Sequence, residues 1–424
     1  MNIFKVFKLQ EHGTTVQREF VSGMVGFLTV IYIIAVNSSI LSEAGIPIEG
    51  AVIATVLTSF AGCLLMGLWA NAPILLVPGM GINALFTYTL VHSMKLSWQD
   101  ALAVVFISGI ILSIIAFTKL SEAINKAIPH SLKDAITVGL GFFLLLIGLE
   151  KGGLVVKGSA SLMTLGDLSD PKMLATILTL LITIGLFIKN VPGNFLWSIL
   201  LGTGIGALMG VLPKGSSPNF SFHSYTSVFS GLRFGKMTEV PFWMAVFSVT
   251  MVIVFENIGL VHGHTALLKQ PEKFRRSLQA NSLSACLSGL FGSSPTVSTV
   301  ETTAAIAAGG RTGLTACFTG CLFLVSLIFI PYIQYIPDNA IAPILILIGG
   351  LMIQNMAKMD LSDLTEALPA IIIIGMIPFT FSIADGMAMG FILYPILKAF
   401  TGRLKEVSAL LYLIALLFLL YFLL

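Results

Sequence analysis

Two glutamates stand inside apolar segments of the chain, where charged residues are rare. Glu256 and Glu301 lie 45 residues apart, whereas nearly all of the other Asp and Glu residues fall in loops or at segment ends. A carboxylate at the centre of a membrane helix costs about 3 kcal/mol even on the lenient insertion scales. Two such groups therefore point to ligand binding or proton exchange. The alternative is a structural hydrogen bond between helices at each position.

Two asparagines repeat this spacing in the first half of the chain. Asn83 follows Asn37 by 46 residues. The segments that carry Asn83 and Glu301 are both interrupted by Pro and Gly, over Asn71–Asn83 and Gly292–Glu301. Interrupted hydrophobic segments in corresponding positions of two halves indicate the binding site of a transporter.

Each interrupted segment contains a short extended stretch that is too short to cross a membrane as a strand. Its backbone polar groups must line a cavity or pair with each other, so we predict that the two stretches pair where the halves meet. Helices that begin near Gly79 and near Glu301 would then direct their N-terminal N–H groups at one spot. The alternative is that Pro and Gly only kink ordinary membrane helices.

Carboxylates, amides, hydroxyls and backbone N–H groups would meet in such a pocket. This set suits a small, flat, uncharged molecule that is rich in hydrogen-bond donors and acceptors. Two carboxylates would repel an inorganic anion unless both were protonated. A carboxyl group in a site of low dielectric constant can also gain and lose a proton when a substrate binds, which would couple transport to a proton gradient.

The composition requires that membrane helices position these residues. The chain has 424 residues, of which 56% are hydrophobic and 10% charged, and its mean hydropathy is +0.97. A soluble domain carries about 25% charged residues. Apolar runs predict an all-α polytopic membrane protein with fourteen crossings, near residues 20–41, 50–69, 74–90, 101–117, 135–149, 173–189, 195–212, 242–262, 277–291, 296–308, 313–332, 340–356, 368–383 and 386–400. A further run at 407–424 could cross the membrane or lie at its surface.

The distribution of basic residues predicts the orientation of these crossings. With a cytoplasmic N-terminus, sixteen of the 23 Lys and Arg residues fall on the inner side, as the positive-inside rule requires. Seven crossings in each half make the second half inverted relative to the first. We expect a multi-pass protein of the cell membrane. We expect no nucleic-acid partner, because no basic run stands on a polar face, and no metal site, because His262 and His264 would face different sides of a helix.

Several stretches resemble the nucleobase–cation symporter family, specifically its azaguanine/hypoxanthine/guanine permease branch. They are Phe7-Lys-Leu-Gln-Glu-His-Gly-Thr14, Pro78-Gly-Met-Gly-Ile-Asn-Ala84, Ser294-Pro-Thr followed by Glu301, Ala308-Gly-Gly-Arg-Thr-Gly-Leu-Thr-Ala316 and Ser382-Ile-Ala-Asp-Gly386. They span almost the whole chain in order.

This resemblance implies the uracil-permease fold, with fourteen segments in two inverted sevens and with segments 3 and 10 broken by extended stretches. Residues 1–424 would form one transporter unit. Its core would comprise 20–117 and 242–332, its gate 135–212 and 340–400, and 401–424 would be an extra apolar segment. The resemblance also implies proton-coupled purine uptake, a homodimer, substrate-binding roles for Glu301 and Glu256, and a functional requirement for Asn83.

One position departs from the family pattern. The branch commonly has two acids three residues apart in the eighth segment, whereas here these positions are Ile253 and Glu256. One acid is lost, and the remaining one is Glu where Asp is usual. The departure leaves open which purine is carried and how protons are coupled to its transport.

We therefore predict a proton-coupled importer of purine bases of the hypoxanthine, guanine and adenine class, working by an elevator-like, alternating-access motion in a lipid membrane. It would be no enzyme and would use no cofactor beyond the proton gradient. Glu256 and Glu301 would also exchange the coupling proton. The predicted substrate-binding residues are Glu301, Glu256, Asn83, Thr299, Gly79 and Val297, with Asn37 in support. The alternatives are a sulfate or bicarbonate-type anion transporter of the same architecture and an intramembrane hydrolase with a Glu256–Glu301 carboxylate pair.

Overall fold

The computed structural model describes residues 6–158, 163–213 and 223–423. The helices are α1 (Val16–Val30), α2 (Tyr32–Glu43), α3 (Ile48–Leu65), α4 (Met80–Ala84), α5 (Trp98–Phe117), α6 (Leu120–Ala127), α7 (His130–Lys151), α8 (Pro171–Ile188), α9 (Asn194–Leu208), α10 (His223–Thr226), α11 (Val240–Leu267), α12 (Phe274–Phe291), α13 (Thr302–Ala307), α14 (Gly313–Val325), α15 (Ile330–Ile333), α16 (Asp338–Ile353), α17 (Leu364–Thr380), α18 (Ile383–Phe400) and α19 (Ala409–Leu423). The strands are β1 (Leu76–Pro78), β2 (Val155–Lys157), β3 (Met163–Leu165) and β4 (Thr296–Ser298). Two π-helical stretches, Met66–Ala70 and Leu85–Ser93, continue α3 and α4.

The helices have the length and composition of membrane crossings. In the described residues, nine helical stretches are long and apolar enough to span a bilayer, and three shorter apolar helices, α9, α17 and α19, accompany them. Helices or broken helical segments occupy all fourteen predicted crossings. The chain is therefore a multi-pass membrane protein, and the predicted fold class is confirmed.

The breaks in the third and tenth segments have the same local cause. Asn71 (φ 49°) and Gly292 (φ 86°) adopt the left-handed conformation and end the preceding helices. Pro73 and Pro295 follow within three residues, and proline lacks the N–H that a continuing helix needs. The chain then runs extended for three residues in each half before a short helix begins.

The two extended stretches pair with each other, as predicted. β1 and β4 are antiparallel, with Val77 opposite Val297 and Leu76 opposite Ser298. All six strand residues are buried. The pairing gives partners to backbone groups that would otherwise be unsatisfied in the interior of a membrane protein. It also fixes the junction between the two halves of the chain.

The helices pack in two groups around this junction. In one group, α14 contacts α1 and α3, and α12 contacts α3, α5 and α11. In the other, α7 contacts α16, α17 and α18, and α8 contacts α9 and α16. Glycines allow the closest approaches: a Cβ added to Gly141 of α7 would lie 2.8 Å from the carbonyl oxygen of Gly349 in α16.

The apolar run at the end of the chain lies alongside a crossing helix. Lys398, near the end of α18, pairs with Glu406 just before α19 at 2.8 Å. Near the opposite end, the hydroxyl of Tyr421 donates to Asp385 Oδ1 at 2.7 Å. α19 therefore runs antiparallel to α18 along its length. This geometry favours the crossing over the surface alternative for 407–424.

Candidate binding site

Glu301 stands at the N-terminus of α13, on an open side of the tenth segment. Its Oε1 accepts a hydrogen bond from the hydroxyl of Tyr32, at 2.6 Å. Glu301 is half-buried, and the adjacent Val300 is 61% exposed. Thr303, two residues further on, is also exposed. The carboxylate is thus held on one side by a phenol and lies next to accessible space.

Glu256 lies in the middle of α11, and one of its carboxylate oxygens has no protein partner. Oε2 is buried and makes no hydrogen bond to any group in the described residues. Open space adjoins α11 one and two turns after Glu256, because a Cβ added to Gly259 or Gly263 would meet no atom within 4 Å. A buried carboxylate oxygen without a partner is costly. No described protein group occupies this oxygen, which leaves it open to a proton or a ligand.

The turn of α11 that carries Glu256 is fastened to β4. Asn257 Oδ1 accepts from the backbone N–H of Ser298 at 3.2 Å. One of the ring nitrogens of His264, Nδ1, lies 2.8 Å from Ser298 Oγ. β4 leads within three residues to Glu301. The structure thus brings the elements that carry the two predicted acids to the same strand.

Asn83 and Asn37 belong to a buried polar cluster that joins the two halves. Ser294 Oγ lies 2.5 Å from Asn83 Oδ1 and 3.2 Å from Asn37 Oδ1. Asn37 Nδ2 donates to Thr55 Oγ1 at 2.8 Å and to Ser293 Oγ at 3.3 Å. Both asparagines are fully buried. Their amides therefore hold the loop before β4 rather than pointing at open space.

The remaining predicted residues lie at the strand junction. The N–H of Gly79 donates to the carbonyl of Pro295 at 3.3 Å, and a Cβ at Gly79 would lie 2.6 Å from Val297 Cγ2. Gly79 is thus the residue that lets the third segment approach Val297. Thr299 is 9% exposed, and its Oγ1 is buried without a hydrogen-bond partner in the described residues. Thr299 is the one hydroxyl residue among the predicted substrate-binding residues, and no described protein group occupies its Oγ1.

Three residues of this region were missed by the sequence analysis. Tyr32 precedes Asn37 by five residues in the first segment, and a lone phenol in an apolar run was the signal that it offered. Asn257 directly follows Glu256, so its polar side chain offered a similar signal. His264 was considered only with His262 as a metal ligand, but its partner is Ser298. No group of three His, Cys, Asp or Glu side chains in the described residues could hold a metal ion.

Comparison with known proteins shows which family the chain resembles. A family model described as Permease family (Xan_ur_permease) matches residues 17–389. The nucleobase transporter PlAzg2 of Paenibacillus larvae is 48% identical over 381 residues, which cover 89% of this chain and 76% of the relative. The guanine/hypoxanthine permease PbuO of Bacillus subtilis is 34% identical and is covered to 98%, over 97% of this chain.

Solved structures share the fold at low sequence identity. The transmembrane domain of a cyanobacterial bicarbonate transporter, BicA, superposes with a TM-score of 0.64 at 16% identity. The match covers 88% of this chain and 97% of that domain. At this identity the likeness concerns the arrangement of the helices.

Proposed function

The chain belongs to this Permease family, and on that basis we propose that it carries purine nucleobases across the cell membrane. Two relatives named as nucleobase or guanine/hypoxanthine transporters are aligned over 89% and 97% of this chain. The observation that carries the proposal is the pair of acids at this junction: Glu301 follows β4 by three residues, and Glu256 lies on α11, which Asn257 fastens to β4. A purine presents ring and exocyclic N–H donors along the edge of a flat ring, and charged carboxylates are strong acceptors for them.

Glu301 and Glu256 would divide the recognition of the base between them. Glu301 would accept from the ring N–H edge with the oxygen that Tyr32 leaves free. Glu256 would add a second hydrogen bond through its unpartnered Oε2. A hydrogen bond to a charged group contributes about 1.5–3 kcal/mol. Two such bonds suffice to orient a small planar ligand in an otherwise apolar pocket.

The other residues would complete the site at the strand junction. The free Oγ1 of Thr299 is available to a polar edge of the base. Backbone groups near Gly79 and Val297 would border the pocket, since these residues touch where β1 meets β4. Asn83, supported by Asn37, would tie the third segment to the site through Ser294.

Proton coupling is proposed to use the same acids. Proton coupling needs a carboxylate oxygen that no protein group occupies, so that a proton can bind and leave there. Glu256 has such an oxygen. A proton taken up there on one side of the membrane and released on the other would drive uptake by the proton gradient. No further cofactor enters the proposal.

The motion is proposed to be elevator-like, with a core of residues 20–117 and 242–332 moving against a gate of 135–212 and 340–400. The two groups of contacting helices support this division. Lys151 of α7 joins them at one end of the molecule, through ion pairs with Glu43 of α2 and Asp338 of α16. The Glu43–Lys151 contact would break in each cycle. A cytoplasmic N-terminus and a homodimer are parts of the same proposal.

Uptake by a transport-deficient bacterial host would test this function directly. Cells that express the chain should accumulate radiolabelled hypoxanthine, guanine or adenine, and uptake should increase as the external pH falls. Unlabelled purines should compete, whereas uracil, sulfate and bicarbonate should not. Uptake of labelled sulfate or bicarbonate, with no uptake of labelled purines, would instead establish the anion transporter. Uptake that followed sodium and ignored pH would overturn the proton role.

A further inference from the structure

One residue outside the predicted set controls how Glu301 is presented. Tyr32 is 3% exposed and begins α2, just after the first segment is interrupted at Ile31. Its hydroxyl donates to Glu301 Oε1 at 2.6 Å, across 269 residues of sequence. In the described part of the chain no other group donates to this carboxylate. The Tyr32 bond therefore sets the orientation of Glu301.

The Tyr32 ring also packs against an aromatic side chain of another helix. It makes a T-shaped contact with the ring of Phe195 in α9, with ring centroids 4.8 Å apart and an interplanar angle of 60°. Phe195 stacks in turn against Phe187 of α8, at 6.3 Å and 28°. Such aromatic pairs have preferred geometries and resist rotation. The phenol is thus confined between Glu301 and a helix of the proposed gate.

We propose that Tyr32 is a positioning residue that holds one oxygen of Glu301 so that the other is presented to the substrate. The inference rests on the proposed function, since it concerns the same site. It also links the site to the gate. A displacement of α9 from α2 would remove Phe195 from the Tyr32 ring, release the phenol and weaken the hold on Glu301. Substrate affinity would then depend on the relative position of the two helix groups.

Tyr32→Phe tests this role, because it removes the hydroxyl and keeps the ring on Phe195. We expect the dissociation constant for labelled hypoxanthine or adenine, measured on the purified protein, to rise by about tenfold, the low end of a charged hydrogen bond. In cells the apparent KM should rise similarly while the maximal rate stays within about twofold. The matched control is Tyr421→Phe, which removes the equivalent bond to Asp385, 2.7 Å long and outside the site. It should bind the base as the wild type does.

A double-mutant cycle separates positioning from a general structural role. Glu301→Asp shortens the side chain and withdraws the carboxylate from Tyr32. In this background Tyr32→Phe should weaken binding by less than about twofold, since the coupled bond is already lost. An equal loss in both backgrounds, or wild-type binding by Tyr32→Phe, would overturn the inference. A wild-type protein that bound no purine would overturn the proposed function instead. The binding is normalised to folded protein, so a lower yield of any variant leaves the comparison intact.

Discussion

The third and tenth segments share a plan but present different chemistry. Each has a left-handed residue, a proline, a three-residue strand and a short helix. In the third segment Gly79 follows the strand at once, and Asn83 is buried against Ser294. In the tenth, Thr299, Val300 and Glu301 separate β4 from α13, and Glu301 lies on the open side.

The physical reason for the difference lies in the two side-chain types. An amide carries both donors and acceptors, so neighbouring hydroxyls can satisfy it in the interior. A carboxylate only accepts when ionised, and its burial without a partner is costly. The first half can therefore bury its asparagines as a scaffold. The second half keeps its acids beside accessible space, where a substrate or a proton can meet them.

Among the variants that test this contrast, Glu301→Gln should reduce purine uptake most, because it removes the charge of the acid next to the exposed Val300. We expect purine uptake to fall by about tenfold to a hundredfold, the loss of one charge-assisted hydrogen bond. Initial rates of uptake by intact cells measure it. Glu239→Gln, at an exposed position before α11, is the matched control and should transport normally. Near-normal uptake by Glu301→Gln would remove the tenth segment from the binding role.

Glu256→Gln should have the next largest effect and a different signature. The amide still accepts a hydrogen bond but cannot exchange a proton at this position. We expect uptake to fall by about tenfold and to lose most of its dependence on external pH. The measurement is initial uptake at a series of external pH values. Full retention of the pH dependence would assign the coupling proton to another group.

Asn83→Ala should lower the stability of the fold more than the affinity for the purine. It leaves the hydroxyl of Ser294 without its nearest partner and opens a small cavity, which together cost about 1–3 kcal/mol of stability. We expect a lower thermal unfolding midpoint and a lower yield, with purine affinity of the folded protein reduced by less than about threefold. Combination with Ser294→Ala should cost little more than the single change, since the two residues share one bond. A large loss of affinity without destabilisation would place Asn83 in contact with the substrate.

Thr299→Val should have the smallest effect on transport. It distinguishes a hydroxyl without a protein partner, Thr299, from one that bonds to Asn83, Ser294. The Thr299 hydroxyl has no partner in the described structure, so its replacement by a methyl group should leave the unfolding midpoint unchanged. If it contacts the base, the apparent KM should rise by about twofold to tenfold. The contrasting variant Ser294→Ala should lower the midpoint and leave KM nearly unchanged. A lower midpoint for Thr299→Val together with a higher KM for Ser294→Ala would exchange the roles of these two hydroxyls.

The sequence analysis predicted the fold and much of this junction from a few residue types. Prolines and glycines at matched positions predicted the broken segments, and the cost of unpaired backbone in a membrane predicted that β1 and β4 would pair. The intramembrane acids indicated where we propose the site. Seven crossings per half predicted the inverted architecture.

Other features depend on contacts that no local pattern encodes. The Tyr32–Glu301 bond joins residues 269 apart, and the matched spacing of Asn83 and Glu301 gave no sign that one amide would turn inward. Three residues separate β4 from α13, whereas Gly79 alone separates β1 from α4, and the similar spacing of Asn83 and Glu301 within the two halves concealed this difference. The crossing orientation of 407–424 likewise depends on Tyr421 and Glu406, which bond to α18 at its two ends.

Equilibrium binding of a labelled purine to three purified proteins tests the central claim most directly, because it isolates the site from the transport cycle. The wild type should bind one base per chain with saturation. Glu301→Gln should bind at least about tenfold more weakly, whereas Asn83→Ala, normalised to folded protein, should stay within about threefold of the wild type. Wild-type affinity in Glu301→Gln, or a greater loss in Asn83→Ala, would contradict the division between a presenting half and a scaffolding half.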